Sequence, residues 1–289
     1  MNAAWLVRAI VLLAVSMAIP IAAQADPLFA VMGNGIAGIV PGCSYEASGA
    51  APVTGGGGPA CDVTIDPVGG TMVISVADRS SADYTSLRVL SQWSVFVDEP
   101  ATGRYSGGAL AQYSDTLTIE GGTGQGTLLF DIALSGSTNI GGTGTPPGTS
   151  PFRQNASLTL TANGVQVTND QPTGTIAASI PFTFGDPFSF VFTLLLEQQF
   201  IGSEYPGTHT STIDYFNTAL LQPFLVLDAS SARVGSASVM ASDGFSFPMA
   251  RPTDGGPDPA PAPVPEPGTW LLVGSGLAFG RRAWRRRVS

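Results

Sequence analysis

The sequence predicts an all-β protein, a β-sandwich, on three observations. Apolar residues recur with period two in run after run from about Thr71, which turns one face of each strand toward a core and the other toward water. Gly-rich turns separate these runs at short intervals, the pattern of a sandwich rather than of βαβ units. No segment carries apolar residues at helical spacing over three turns.

In chain order, residues 1–25 read as a signal peptide. Arg8 supplies the positive start, Ala9 to Ile19 the apolar core, Pro20 the break, and Ala23-Gln24-Ala25 the small-residue cleavage site. The alternative is an uncleaved anchor helix. Residues 26–70 form a Gly-rich N-terminal segment containing the only cysteines, Cys43 and Cys61. In an exported chain these most simply form a disulfide, worth roughly 3 kcal/mol for a loop of that length. A metal pair or a catalytic thiol is the alternative. Gly33 to Gly38 matches G-x-G-x-x-G, but Ile39-Val40-Pro41-Gly42 cannot continue a helix as a dinucleotide site requires. It reads as a turn-rich start.

The sandwich is expected over 71–250. Thr71 to Val76 is short and β-branched. Leu87, Val89, Trp93, Val95 and Val97 alternate, as do Ala109, Ala111, Tyr113, Leu117 and Ile119 across a polar interruption at Asp115. Leu128, Phe130, Ile132 and Leu134 follow. Gly121 to Gly124 is the turn between the last two runs, and Asn139 to Ser150 reads as a longer polar loop. The clearest element is a hairpin, residues 157–168 about Asn163-Gly164. Both turn residues tolerate positive φ, and the register pairs Ala162 with Val165 and Leu160 with Val167. Ile176, Ile180, Phe182 and Phe184 make another run. In the run from Phe188 to Leu196, Val191 and Leu195 lie on the second face, which predicts a central strand buried on both sides. Residues 213–227, 233–241 and 245–249 close the series.

Residues 251–264, RPTDGGPDPAPAPV, lack large apolar side chains and predict an extended spacer. At about 3.1 Å per residue it reaches roughly 40 Å. The segment 265–289 has three parts: Pro265-Glu266-Pro267, an uncharged apolar run from Gly268 to Gly280, and the arginines Arg281, Arg282, Arg285, Arg286 and Arg287. Proline keeps the first part extended. The apolar run predicts a single transmembrane helix. Its thirteen residues span roughly 20 Å as a helix, short for a hydrocarbon core of about 30 Å. It fits if the arginines snorkel and Trp270 and Trp284 sit at the interfaces. The arginines then stay cytoplasmic. Gly276 and Gly280 make a GxxxG pair, read as spacing among small residues.

Val264-Pro265-Glu266-Pro267, the apolar run and the terminal arginines resemble the PEP-CTERM sorting signal of Gram-negative bacteria. That tail is also called the ice-binding protein C-terminal domain, a label that is no evidence for ice binding. The resemblance implies recognition by an exosortase, a membrane Cys protease-transpeptidase, with cleavage near the PEP motif and a transient stay in the inner membrane. An ordinary tail anchor is the alternative. The resemblance further implies a role alongside exopolysaccharide. Residues 113–119, 181–184 and 214–221 look like the jelly-roll bodies common in such proteins, so the expected fold is a jelly-roll-like β-sandwich ectodomain.

Charge narrows the partners. The chain has no lysine, and between the signal peptide and the terminal arginines six arginines face twenty-one acids, a net charge of −15. Such a surface repels nucleic acid and anionic lipid. No H-E-x-x-H, G-x-S-x-G or EF-hand loop is present. The one histidine, His209, sits in a Gly-Pro-punctuated stretch and reads as a solvated loop residue. Asp98 with Glu99, and Glu197 with Glu204, are the carboxylate pairs on offer. Asn155-Ala156-Ser157 is a sequon. No enzyme, cofactor or metal is expected. The leading expectation is a non-enzymatic envelope or extracellular-matrix protein with a biofilm role, ending at the cell surface or outside. The alternative is a carbohydrate-binding module for exopolysaccharide, using Trp93, Tyr84, Tyr105 and Tyr113.

Overall fold

The period-two runs become strands in the computed structural model, which describes residues 27–34, 44–56, 61–65, 71–100, 103–143, 150–170 and 173–251. In chain order the strands are β1 Leu28–Asn34, β2 Ser44–Gly49, β3 Val53–Gly56, β4 Cys61–Ile65, β5 Met72–Ala82, β6 Ser86–Val97, β7 Tyr105–Glu120 and β8 Gln125–Leu134. They continue as β9 Ser137–Gly142, β10 Phe152–Ala162, β11 Val165–Asp170, β12 Gly174–Thr183, β13 Phe188–Phe200, β14 Gly207–Leu221, β15 Leu225–Asp228 and β16 Ser238–Met240. No helix occurs among the described residues.

Two antiparallel sheets result. One has the order β11-β10-β13-β7-β1-β2, with β16 beside β7. The other has the order β12-β8-β14-β6-β5-β3, with β15 beside β8, β4 beside β5 and β9 beside β14. Their inward residues form one large core, including Phe29, Tyr113, Leu128, Phe190, Phe192 and Ile213, all fully enclosed or nearly so. This architecture is a β-sandwich.

The hairpin takes the expected register, Ala162 opposite Val165 and Leu160 opposite Val167. Asn163 and Gly164 both hold positive φ, 46° and 78°, as a primed turn needs. The Gly121–Gly124 turn joins strands of different sheets rather than neighbours. Gly121, at φ 93°, runs so close to the backbone that a Cβ there would lie 2.3 Å from the Ser236 carbonyl oxygen.

Four expectations change. Strands on the N-terminal side of residue 71 enter the sandwich: β1 pairs β7 in one sheet, while β3 and β4 pair β5 in the other. Gly33 and Asn34 are strand residues in β1 rather than a turn. Residues 139–142 belong to β9, an edge strand on β14, so the polar loop is shorter. β13 is central, but only its even residues are buried. Val191 and Leu195 lie half-exposed on the outer face, because nothing in the described chain layers over that sheet.

Candidate functional site

The sorting residues Pro265, Glu266 and Pro267, the arginines Arg281, Arg282, Arg285, Arg286 and Arg287, the cleavage residues Ala23 and Ala25, and Cys43 all lie outside the described residues. The Cys43–Cys61 disulfide therefore does too; Cys61 itself opens β4, opposite Val76. Among the described residues no helix is long and apolar enough to cross a membrane. The expected tail helix falls outside them.

The end of the body, from which the chain runs on to the tail, is well defined. The stretch after β16 folds back on the core as a clasp. Phe247 N–H donates to the Val239 carbonyl (2.9 Å), Phe224 N–H to Pro248 (2.9 Å) and Ala250 N–H to Phe224 (2.7 Å). Arg233 donates to the Ala250 carbonyl. Aromatic packing holds the clasp down. Phe247 stacks on Phe224 at 5.1 Å and Phe245 on Tyr84 at 3.9 Å, and the Tyr84 hydroxyl donates to Asp243. Burial and that carboxylate push the Tyr84 phenol up to about 12.

Asp115 explains why a carboxylate interrupts β7. It points inward and is buried, where it accepts from the Tyr113 hydroxyl (2.8 Å), Thr116 N–H (2.6 Å) and the Ser242 hydroxyl (2.6 Å). A buried carboxylate is tolerable when donors saturate it. Here it ties the clasp to the central strand. Desolvation, then the Asp115 charge, push the Tyr113 phenol far above its usual range.

A second internal feature is a polar belt that no sequence pattern announced. The large core stops at one level of the sandwich, and a smaller cluster begins beyond it: Met72, Ile74, Val76, Trp93, Val95, Val97, Phe152 and Phe200. Between the two, strands from both sheets present polar side chains. Gln198 of β13 donates to the Ser91 carbonyl of β6 (2.7 Å) and accepts from Ser211 of β14. Gln154 of β10 donates to Ser211 (2.8 Å) and reaches the Thr212 carbonyl (3.1 Å). These bonds staple one sheet to the other.

On the β5–β6 side the belt is unsatisfied. Asp78 lies opposite Ser91. Both Asp78 carboxyl oxygens, the Ser91 hydroxyl and the Trp93 indole N–H are enclosed without a hydrogen-bond partner. Desolvation pushes the Asp78 carboxyl up to about 7, because burial disfavours the charged form. The Ser91 hydroxyl faces it and offsets part of the rise without reaching hydrogen-bond geometry.

The aromatic row expected of a glycan site does not form. Trp93 and Tyr113 are buried, at 2% and 0% exposure. Tyr84 is stacked under Phe245, and Tyr105 packs on the second cluster. His209 is not a solvated loop residue. It is a fully buried β14 residue whose ring N–H donates to the Tyr205 carbonyl (3.0 Å). Asp98 accepts from Thr71 N–H (2.6 Å), and Glu197 accepts from Asn155 (3.3 Å), which places the sequon mid-strand. An open depression of about 380 Å³ lies beside the hairpin turn, lined by polar groups such as Gln125, Thr127, Asn163 and Asp228. Hydrogen bonds from Ser230 and Ala232 occupy Asp228 and hold its carboxyl below the usual range. Among the described residues no three His, Cys, Asp or Glu side chains gather as metal ligands would.

An acidic β-sandwich closed by a clasp, and continuing into a Pro-rich spacer with a short apolar tail, has the layout of an exported body with a C-terminal sorting signal. Residues 263–287 match the PEP-CTERM protein-sorting motif. The chain thus carries that motif, which supports exosortase-dependent sorting of an exported protein. No curated protein matches the chain.

Proposed function

We propose that this is a non-enzymatic protein of the cell envelope or extracellular matrix, with a structural role in biofilm. Cleavage after Ala25 releases it across the inner membrane. Cys43 and Cys61 pair outside the cytoplasm. The apolar run from Gly268 to Gly280 holds the body at the membrane, with Arg281, Arg282, Arg285, Arg286 and Arg287 on the cytoplasmic side. An exosortase then cuts near Pro265-Glu266-Pro267 and passes the body to the surface or beyond.

The observation that carries this reading is the sorting motif at 263–287, separated only by the Pro-rich spacer from a body whose last residues are clamped to its own core. Cutting there leaves that clasp untouched. The body reads as a jelly roll: β6, β7, β8, β10, β11, β12, β13 and β14, taken as strands one to eight, lie in the orders 1-8-3-6 and 2-7-4-5, which is two interleaved Greek keys. Deleting residues 264–289 tests the reading. The truncated chain is expected to lose membrane association and surface delivery while keeping its fold. Unchanged membrane association and delivery would contradict it.

A further inference from the structure

The outer faces of the two sheets differ in charge. The face of the sheet containing β6 and β14 carries Arg79, Arg88, Asp131 and Asp214 among its outward residues. The other sheet is uncharged across its middle. One row, set by strand register, runs Ser48, Ala30, Gln112, Thr193, Thr159, Thr168 over six strands. Aliphatic side chains flank it, with Leu110 opposite Leu195 on one side and Leu28 and Val191 opposite Ser114 on the other. These flanking residues are half-exposed. Charge is confined to the ends and the two edge strands of the face, at Arg153, Glu197, Glu120, Glu46 and Asp170.

We infer that this face is a self-association surface and that its occupant is the same face of a second copy. Charge selects the partner. Two copies, each with a net charge of −15 between the signal peptide and the terminal arginines, repel in most orientations. A two-fold pairing of this face brings the uncharged middle of one copy against that of the other, with the charges at the rim, and a self-complementary patch is what such symmetry requires. Size permits it as well. With strands about 4.8 Å apart and rising about 3.4 Å per residue, the outward face of β11, β10, β13, β7 and β1, its charged ends included, covers roughly 850 Å². A standard interface takes about 800 Å² from each partner. The aliphatic positions supply the buried apolar part, and the threonine and glutamine groups both donate and accept across it.

The test is sedimentation velocity of the full chain in detergent at low and high salt. A reversible dimer that strengthens with salt is expected, because salt screens the repulsion while the neutral contact has no ion pair to lose. Leu195→Lys and Thr193→Lys, both pointing outward, are each expected to weaken the dimer at least tenfold at unchanged thermal stability. Gln92→Lys, on the outer face of the other sheet, is expected to leave it intact. A monomer at every salt concentration overturns the inference, as does a dimer weakened by salt. A dimer indifferent to Leu195→Lys and Thr193→Lys also overturns it, since the tail or another face then holds the copies together. So does a monomer that binds neutral polysaccharide through this face.

Discussion

Replacing Asp78 with asparagine isolates the unsatisfied side of the polar belt. The carboxyl goes from 3.8 in the open chain to about 7 in the fold. Between those values the folded protein holds a proton that the unfolded chain has released, so stability falls as pH rises. The fall begins near pH 4 and is complete above pH 7. A rise of that size corresponds to about 4 kcal/mol. Asparagine keeps the shape and never ionises, so the variant is expected to exceed the parent by about 1 kcal/mol at pH 4.5 and by about 4 kcal/mol at pH 8. Desolvation is the driving cause, and no cation stands among the groups that act on this carboxyl. Urea unfolding followed by fluorescence reads the effect well, because Trp93, two residues from Ser91 and buried, is the sole tryptophan between the signal peptide and the tail. Taking the difference between variant and parent removes carboxylates such as Asp228, whose lowered value costs stability only on strong acidification. An offset equal at pH 4.5 and pH 8, or a variant no more stable than the parent at pH 8, would refute the reasoning.

Two further substitutions probe the clasp and the hairpin. Asp115→Ala strips the acceptor from Tyr113, Thr116 and Ser242 and leaves a buried phenol unpaired. A loss of about 3 kcal/mol is expected by chemical denaturation, with Asp115→Asn losing less. Gly164→Ala meets nothing within 4 Å of the added carbon. Its cost is therefore conformational, about 1 kcal/mol for an L residue at φ 78°, read as a lowered thermal midpoint with unchanged circular dichroism.

How much of this was legible in the sequence depended on how local the cause was. The hairpin was legible because Asn-Gly has one favoured geometry and the flanking apolar residues admit one register. The alternation of β6, β8 and β13 was legible for the same reason of period. That Val191 and Leu195 are not buried depends on whether anything layers over the sheet, which no local pattern states. The belt was hidden because its members come singly from distant strands. Ser91 and Gln198 each look like a lapse in an apolar series, and only the fold shows that the lapses share a level. His209 and Ser211 are the extreme case: with no apolar neighbour between residues 207 and 212, an inward-facing stretch of β14 resembles a loop. β1 was obscured by Gly33, which the close packing of Tyr45 requires. The sorting tail needed no tertiary information, since its order of rigid, apolar and basic parts is itself the signal.

Mass spectrometry of the mature C-terminus is the most direct measurement of the central claim, that the tail is a temporary handle on a self-sufficient body. In the native host the surface or released protein is expected to end near Pro265-Glu266-Pro267, and cells lacking the exosortase are expected to keep the chain to Ser289 in the membrane. A surface protein still ending at Ser289 in cells with an active exosortase would contradict it.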